Sequence, residues 1–514
     1  MITLVLNLGL KTTRCIAFSF DGKVLMESSR LVNTYISNRR VEQKPEEWKM
    51  LTWEVTKEVT SKLGPLAKDI QNLTVTTSAS CLVVVDEKGN SLGNSLLVSD
   101  TRAIKEAQLL DSSVEFQMVQ RLTGTKSSPD LMLPKLMWLS KNEPEIFSKA
   151  AHFLNADSYL IQKLTGKYVT DSNNALKFHY IISENSYPVD LLNILGIELS
   201  ALPEVQPQGS TVDTVLPVVA EELGIPKSCK LILSTYDALS AVVGNGTFNV
   251  GEAADISGTV TSFRAVTNRH LFDRHQRIYV TPHIGKNRWL AGGSNNLGGG
   301  LIEWVKQLFY NNESDPYNSM ESSIKDLTPC PGGLIFLPYL LGERTPLWDP
   351  DCRGVFFGLN RSHGKSHMTR AVFESAGFSI LHIATVLKEY QISINSVTAS
   401  GGLSRLGLVN QLKADILGVP FRKLDNFEAT AIGAAIIALV GIGYYQDEKE
   451  AFQQFCKIER IYEPNLTNHK IYRRYFQIYL QVYDCLRPAY ISRAELLSTL
   501  NQQGINELIL TENL

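Results

Sequence analysis

The sequence predicts an α/β protein of two large domains, and three observations carry that prediction. At 514 residues the chain exceeds what one hydrophobic core organises, given roughly 150 residues per domain. A strand, small-residue turn, strand pattern opens the chain over residues 2–20 and returns over residues 252–266. Between these copies, the apolar run 231–233 turns through Ser234, Thr235 and Tyr236 into a small-residue helix that Gly244 and Gly246 end, with Asp237 at the junction. Two openings on one pattern suggest an internal duplication, although glycine-containing hairpins are common in their own right.

Composition narrows the class. With 44% hydrophobic and 20% charged residues the chain reads as a globular enzyme. A net charge of -2 and the lack of a basic tract argue against nucleic acid as partner. The seven cysteines are scattered without a CxxC pair, which fits reduced thiols in a cytoplasmic protein. The first apolar run is interrupted by Lys11 and Arg14, too early for a signal peptide, and no run approaches the roughly 20 apolar residues of a membrane span.

In chain order, residues 2–8, 15–20 and 24–28 read as a β-meander, with Asp21-Gly22 as its second turn. Its first turn, residues 9–13, offers backbone donors and hydroxyls to an anion, with Arg14 just beyond. Residues 45–63 read as a helix ended by Gly64-Pro65, and 73–77 and 82–85 as strands flanking Ser78-Ala79-Ser80-Cys81. The step Ser99-Asp100-Thr101-Arg102 reads either as a surface ion pair of little energetic weight or as the lining of a polar pocket. Residues 133–139 and 157–164 read as amphipathic helices. Asp237 is open to two readings, a helix N-cap or a carboxylate at the carboxyl end of a strand, where ligands bind in open α/β sheets.

Three glycines and an asparagine-rich turn between residues 244 and 251 mark the boundary, which gives domains 1–247 and 248–490 and a tail 491–514. Beyond it, Gly298-Gly299-Gly300 leads into a helix over 301–308, without P-loop spacing. Residues 334–341 read as a strand feeding GERTPLWDPDCRGVFFGL, a loop whose Trp348, Phe356 and Phe357 argue for burial. Strand 396–399, the pair Gly401-Gly402, helix 408–417 and a small-residue helix from Glu428 close the pattern. That is how backbone approaches a flat ligand or a phosphate.

These motifs stand in an order that resembles the FGGY carbohydrate kinases, the family of xylulose, gluconate and glycerol kinases, over residues 2–486. GERTPLWDPDCRGVFFGL resembles the hallmark loop of the xylulose and gluconate kinase branch, SGGLSRLGLVNQLKADILGVPF the adenosine signature, and LSTYDALSAVVGNG the segment with the catalytic aspartate. VEQKPEEW, SDTRA and LTGKYVTD are similar to further landmarks. The resemblance implies two ribonuclease-H-like, actin-like ATPase α/β domains around a central cleft that take ATP, Mg²⁺ and a sugar or sugar acid. It puts catalysis on Asp237, which would accept the proton of the attacking hydroxyl. It puts the nucleotide on Gly9, Thr12, Thr13, Arg14, Gly258, Thr259, Gly300, Gly401, Gly402, Ser404 and Asn410. The sugar falls to Ser80, Asp100, Arg102 and Asp237, and Mg²⁺ to Asp237 and, through water, Asn7. The resemblance leaves a homodimer open, and implies neither a nucleic-acid nor a membrane partner.

The chain departs from the pattern at telling places. The opening Asp-x-Gly-Thr motif reads Asn7-Leu8-Gly9-Leu10-Lys11-Thr12, so an amide replaces the acid that helps hold hydrated Mg²⁺. Asparagine still accepts a hydrogen bond from a metal-bound water but brings no charge, and Lys11 offers a cation to phosphate instead. Ala79-Ser80 and Val98 replace the methionine-histidine pair and the tryptophan of the xylulose branch, so xylulose is not carried over. The leading expectation is an ATP-dependent carbohydrate kinase. Its rival is a catalytically impaired relative that senses a metabolite or nucleotide.

Overall fold

The computed structural model describes residues 1–284, 287–426 and 428–502 and divides into two compact units, each interrupted in sequence. Unit 1 holds Met1–Val250, Val266–Leu290 and Asp425–Lys457; unit 2 holds Gly251–Ala265, Ala291–Leu424 and Ile458–Leu514. The expected tail begins inside a helix, Leu466–Gln502, which continues through residue 491; the rest of that tail lies outside the described residues.

Unit 1 is built on a six-stranded sheet: β1 (Ile2–Leu8), β2 (Thr12–Ser19), β3 (Val24–Leu31), β4 (Ile70–Thr77), β5 (Thr211–Thr214) and β6 (Lys230–Leu233), in the order β5-β6-β4-β1-β2-β3. The meander read from sequence is the antiparallel trio β1, β2 and β3, while β4 and β6 run parallel to β1. Leu4, Val5 and Leu6 are all buried, as befits a strand covered on both faces. Helix Pro45–Leu63 starts on a proline, ends at Gly64 with positive φ, and lays Trp48, Trp53, Val55 and Val59 into the core. Phe116, Leu133, Phe178 and Tyr187 form a second, smaller core in the 82–205 segment.

Unit 2 repeats the plan. It holds, wholly or for most of their length, strands β7 (Glu252–Ser257), β8 (Thr261–Thr267), β9 (Trp289–Asn295), β10 (Ser396–Ser400), β11 (Phe421–Leu424) and β12 (Ile458–Tyr462), which lie in the order β9-β8-β7-β10-β11-β12. Here too an antiparallel hairpin, β7 and β8, opens the sheet and parallel strands, β10 and β11, follow. The sequence reading did not place its largest helices. Lys365–Glu389 passes a length-and-composition test for a membrane span, but 78% of its apolar window is buried, and it is a core helix against Tyr472, Phe476 and Tyr479 of Leu466–Gln502. The expected strand 334–341 is only Ile335–Leu337. The following loop is anchored as expected, with Thr345 buried and bonded to Ser294, but Trp348 and Phe357 are 42% and 46% exposed, contrary to the burial read from sequence.

One helix pair fixes unit 1. Helix Asp237–Gly244 crosses helix Ala429–Gly441 with glycines at the contact: a Cβ on Gly433 would press into the Ser240 carbonyl, and one on Gly244 into the Ala429 carbonyl. Both neighbours are backbone, so neither can yield as a side chain would. Gly433→Ala should therefore lower stability by at least the ~1–3 kcal/mol typical of overpacking, read as a lower urea midpoint.

Candidate active site

In unit 1 the candidate residues gather at the carboxyl ends of β1, β4 and β6. The β1–β2 turn closes with the Gly9 amide on the Thr12 carbonyl at 2.9 Å, and the Ser78 amide, just past β4, donates to the Leu8 carbonyl at 3.0 Å. Ser78 Oγ in turn donates to Asp237 Oδ2 at 3.1 Å. Tyr236, not Asp237, holds the N-cap position; Asp237 is the first helical residue, half-buried, with Oδ1 accepting from the Ala238 amide at 2.7 Å. The N-cap reading therefore gives way to a carboxylate partly open at a strand end. A narrow recess lined by Gly9, Leu10, Gln43, Trp48, Ser78 and Cys81 lies beside it.

The turn before Asp237 is held from below by a carboxylate that sequence reasoning left unassigned. Asp171 is fully buried and accepts from Thr235 Oγ1 (2.9 Å), Gln208 Nε2 (2.8 Å), Asn174 Nδ2 (2.7 Å) and the Asn173 amide (2.9 Å). Asp157, also buried, shares Asn174 Nδ2 at 3.1 Å. Burial raises the Asp171 carboxyl despite its four donors. Burial and the neighbouring Asp171 charge push Asp157 up to about 7. The sequence signal was a Thr170-Asp171 strand end with polar neighbours, but nothing in it showed both acids desolvated.

Asp100 and Arg102 are not a surface pair. Asp100 is fully buried and Arg102 nearly so. Arg102 Nε donates to Oδ1 and Oδ2 of Asp100 at 2.9 and 3.0 Å, Nη2 to Oδ2 at 2.6 Å and also to Glu42 Oε1, and its guanidinium lies 4.9 Å from the centre of the Trp138 ring. Burial alone would lower the Arg102 pKa, but the bonds to Asp100 and Glu42 outweigh it and raise it. Ser80 is buried with φ +60°, a left-handed conformation unusual for serine.

The expected phosphate turn divides by strand alternation. Thr13 points inward, its hydroxyl 3.0 Å from that of Thr52, so its side chain is withdrawn from any ligand. Thr12 is half-buried and Lys11 exposed. Arg14 is engaged by Glu428 at 2.5 Å and Glu27 at 3.0 Å. Asn7 is half-buried and sits in register with Arg14 on β2 and Thr76 on β4.

Unit 2 brings the remaining candidates together. Gly258 and Thr259 form the exposed turn between β7 and β8; their carbonyls accept from the Gly299 (2.7 Å), Gly298 (2.8 Å) and Gly300 (3.2 Å) amides at the start of helix Gly299–Phe309. Gly401 has φ +83°, and a Cβ there would lie 2.5 Å from the Ser257 carbonyl. Gly402 is exposed, with open space where its Cβ would stand. Ser404 and Asn410 are buried supports: Ser404 Oγ donates to the Gly401 carbonyl at 2.8 Å and Asn410 Nδ2 to the Ser404 carbonyl at 2.7 Å. A group missed in the sequence underlies the turn. Buried Lys413 pairs with Asp255 at 2.5 Å and donates to Ser257 Oγ at 3.1 Å, and that hydroxyl lies 3.0 Å from Thr261 Oγ1, which ties the two ends of the turn together.

Residues 2–244 match the N-terminal domain of the FGGY family of carbohydrate kinases and residues 253–442 its C-terminal domain. A glycerol kinase of Saccharolobus islandicus is 30% identical over 485 residues, 91% of this chain and 93% of that protein. This chain belongs to the FGGY family. A xylulose kinase of Bacillus subtilis is 27% identical over 485 residues, covering 93% of this chain and 96% of its own. The crystal structure of a gluconate kinase from Lactobacillus acidophilus superposes with a TM-score of 0.89 at 26% identity, covering 96% of this chain and all of that one. The fold is the two-domain, actin-like ATPase α/β fold of FGGY kinases, and the chain is a carbohydrate kinase.

Two outcomes test this geometry. Gly402→Val should fold with wild-type stability yet weaken ATP binding in calorimetry, whereas Gly401→Val should be destabilised by strain and by its clash with Ser257. Asp157 gives a pH signature. The folded state keeps its proton to about pH 7, and the unfolded chain releases it in the ordinary carboxylate range. Stability attributable to Asp157 is thus present in acid and is lost as pH rises to about 7. Asp157→Asn should remove that loss, so urea midpoints at pH 5, 6, 7 and 8 should fall less steeply than in wild type.

Proposed function

We propose that this FGGY kinase transfers the γ-phosphoryl group of ATP to a hydroxyl of a sugar, ketose, polyol or sugar acid, with Asp237 as the general base. The observation that carries this assignment is the half-buried Asp237 carboxylate at the start of its helix, held by Ser78 Oγ at 3.1 Å and seated on a turn tied to Asp171. Its carboxylate takes the proton of the acceptor hydroxyl as that oxygen bonds to the γ-phosphorus. The bond from phosphorus to the bridging oxygen breaks, and ADP leaves with the electron pair. The backbone amides of the Gly258-Thr259 turn, whose carbonyls are already engaged, hold the phosphates; the exposed Gly402 leaves space for the adenosine.

Among the described residues no group of three or more His, Cys, Asp or Glu stands ready for a metal. One carboxylate, Asp237, and one amide, Asn7, suit a Mg²⁺ ion that arrives with the nucleotide and keeps most of its waters. Bound there, the ion would neutralise charge on the phosphates. Asn7 contributes a hydrogen-bond acceptor without charge, and the exposed Lys11 brings a cation to the same turn. Asn7 is also the observation that favours the second reading, an impaired kinase acting as a sensor. The cytoplasm fits a chain whose seven cysteines are free thiols, six of them buried.

The test is ADP formation by the wild type with xylulose, gluconate, glycerol and a wider panel of ketoses, polyols and aldonates, beside a control without sugar. Sugar-dependent turnover is expected, and Asp237→Asn should reduce it by the ~10²–10⁴-fold typical of a positioned general base while the protein stays folded. Asn7→Asp should raise kcat or lower the Mg²⁺ needed for half-maximal rate. ATP binding without turnover on any acceptor would favour the sensor.

A further inference from the structure

Lys135 is fully buried in helix Met132–Asn142, and among the described residues no carboxylate is bonded to it. Its ammonium instead donates to three backbone carbonyls: Ser80 at 2.7 Å, Leu97 at 2.8 Å and Leu96 at 3.3 Å. Three acceptors match the three donors of an ammonium group. The acceptors belong to two different segments, Leu96 closing the short strand Ser95–Leu96. One is residues 78–81, whose Ser78 reaches Asp237 and whose Ser80 sits at φ +60°; the other is the approach to Asp100 and Arg102.

A buried cation costs several kcal/mol to desolvate unless fixed dipoles replace its water, so a lysine kept here must be matched by ordered carbonyls. The converse also holds: remove the ammonium, and three buried carbonyls each lose a bond at once; Leu96 and Leu97 still accept from the Leu82 and Asp100 amides, at 2.9 and 3.1 Å, so the loss falls hardest on Ser80. Burial also pushes the Lys135 pKa down to about 8, which leaves the group mainly charged at neutral pH.

We propose that Lys135 is a positioning residue for the acceptor sugar: by pinning residues 78–81 and 96–97 to one helix, it sets the arrangement of both candidate sugar-binding segments. The inference rests on the kinase reading for its catalytic consequence, but the pinning itself does not. Lys135 bonds to none of the residues assigned to the nucleotide, so its loss acts on the sugar side.

The experiment compares wild type with Lys135→Met, which keeps the length of the stem without its donors. Hydrogen exchange should quicken in peptides covering 78–85 and 95–103 and stay unchanged over 252–261 and 396–405. With whichever of xylulose, gluconate or glycerol the wild type phosphorylates, the sugar KM should rise at least tenfold while the ATP KM stays within twofold. Unaltered exchange in both segments of a folded variant overturns the proposal, as does an equal rise in both KM values. If the wild type phosphorylates none of the three, the kinase reading loses support on these probes, and the exchange measurement still decides the pinning. Should the methionine variant fail to fold, Lys135→Gln, which retains two amide donors, replaces it: faster exchange in both segments supports the pinning, and unaltered exchange overturns it.

Discussion

Backbone against backbone is the tightest constraint in unit 1. Gly244 and Gly433 let helices Asp237–Gly244 and Ala429–Gly441 approach until main-chain atoms touch, and no other residue type fits between them. Two consequences follow. The segment Asp425–Lys457, which comes between Ala291–Leu424 and Ile458–Leu514 of unit 2 in sequence, is drawn back into unit 1. The helix that begins with Asp237 is also clamped along its length, so the carboxylate at its first turn inherits a fixed position. Buried Ser240 reinforces this, bonding to the Thr235 carbonyl at 3.2 Å.

Much of this was written in local pattern. The β-meander, the helix after Pro45, the hairpin after residue 252 and the glycine pair after β10 are each set by residues adjacent in sequence, and the structure has them within a few residues of the expected bounds. What could not be seen locally was burial. Asp100 and Arg102, two residues apart in a polar step, look like a solvated pair until Glu42 and Trp138 arrive from distant segments to enclose them. Lys135 and Lys413 sit on amphipathic helices where a lysine ordinarily faces water, yet both are buried. Thr13 is different, because strand alternation after Thr12 already put the two hydroxyls on opposite faces.

The discontinuous units escaped the sequence for a related reason. A glycine-rich boundary near residue 250 is a local signal, whereas the return of Asp425–Lys457 depends on a helix contact between residues almost two hundred positions apart. A small-residue helix such as Ala429–Gly441 announces that something will pack closely against it. It does not announce which partner.

Charge in the candidate site follows one rule, which bears on why an amide at position 7 is compatible with the fold. Around Asp237 the buried titratable groups are already engaged: Arg102 by Asp100 and Glu42, Lys135 by three carbonyls, Asp171 by four donors. Such groups hold geometry, and moving one would expose an unpaired charge to a low dielectric. Chemistry is left to residues that are only partly withdrawn from water, namely Asp237, Asn7, Lys11 and the turns at Gly258 and Gly402. Position 7 is half-buried and keeps contact with water, so the effect of an amide there falls first on the ligand. Asn7 is therefore a change in function before it is a change in structure, with Lys11 close enough in sequence to answer it.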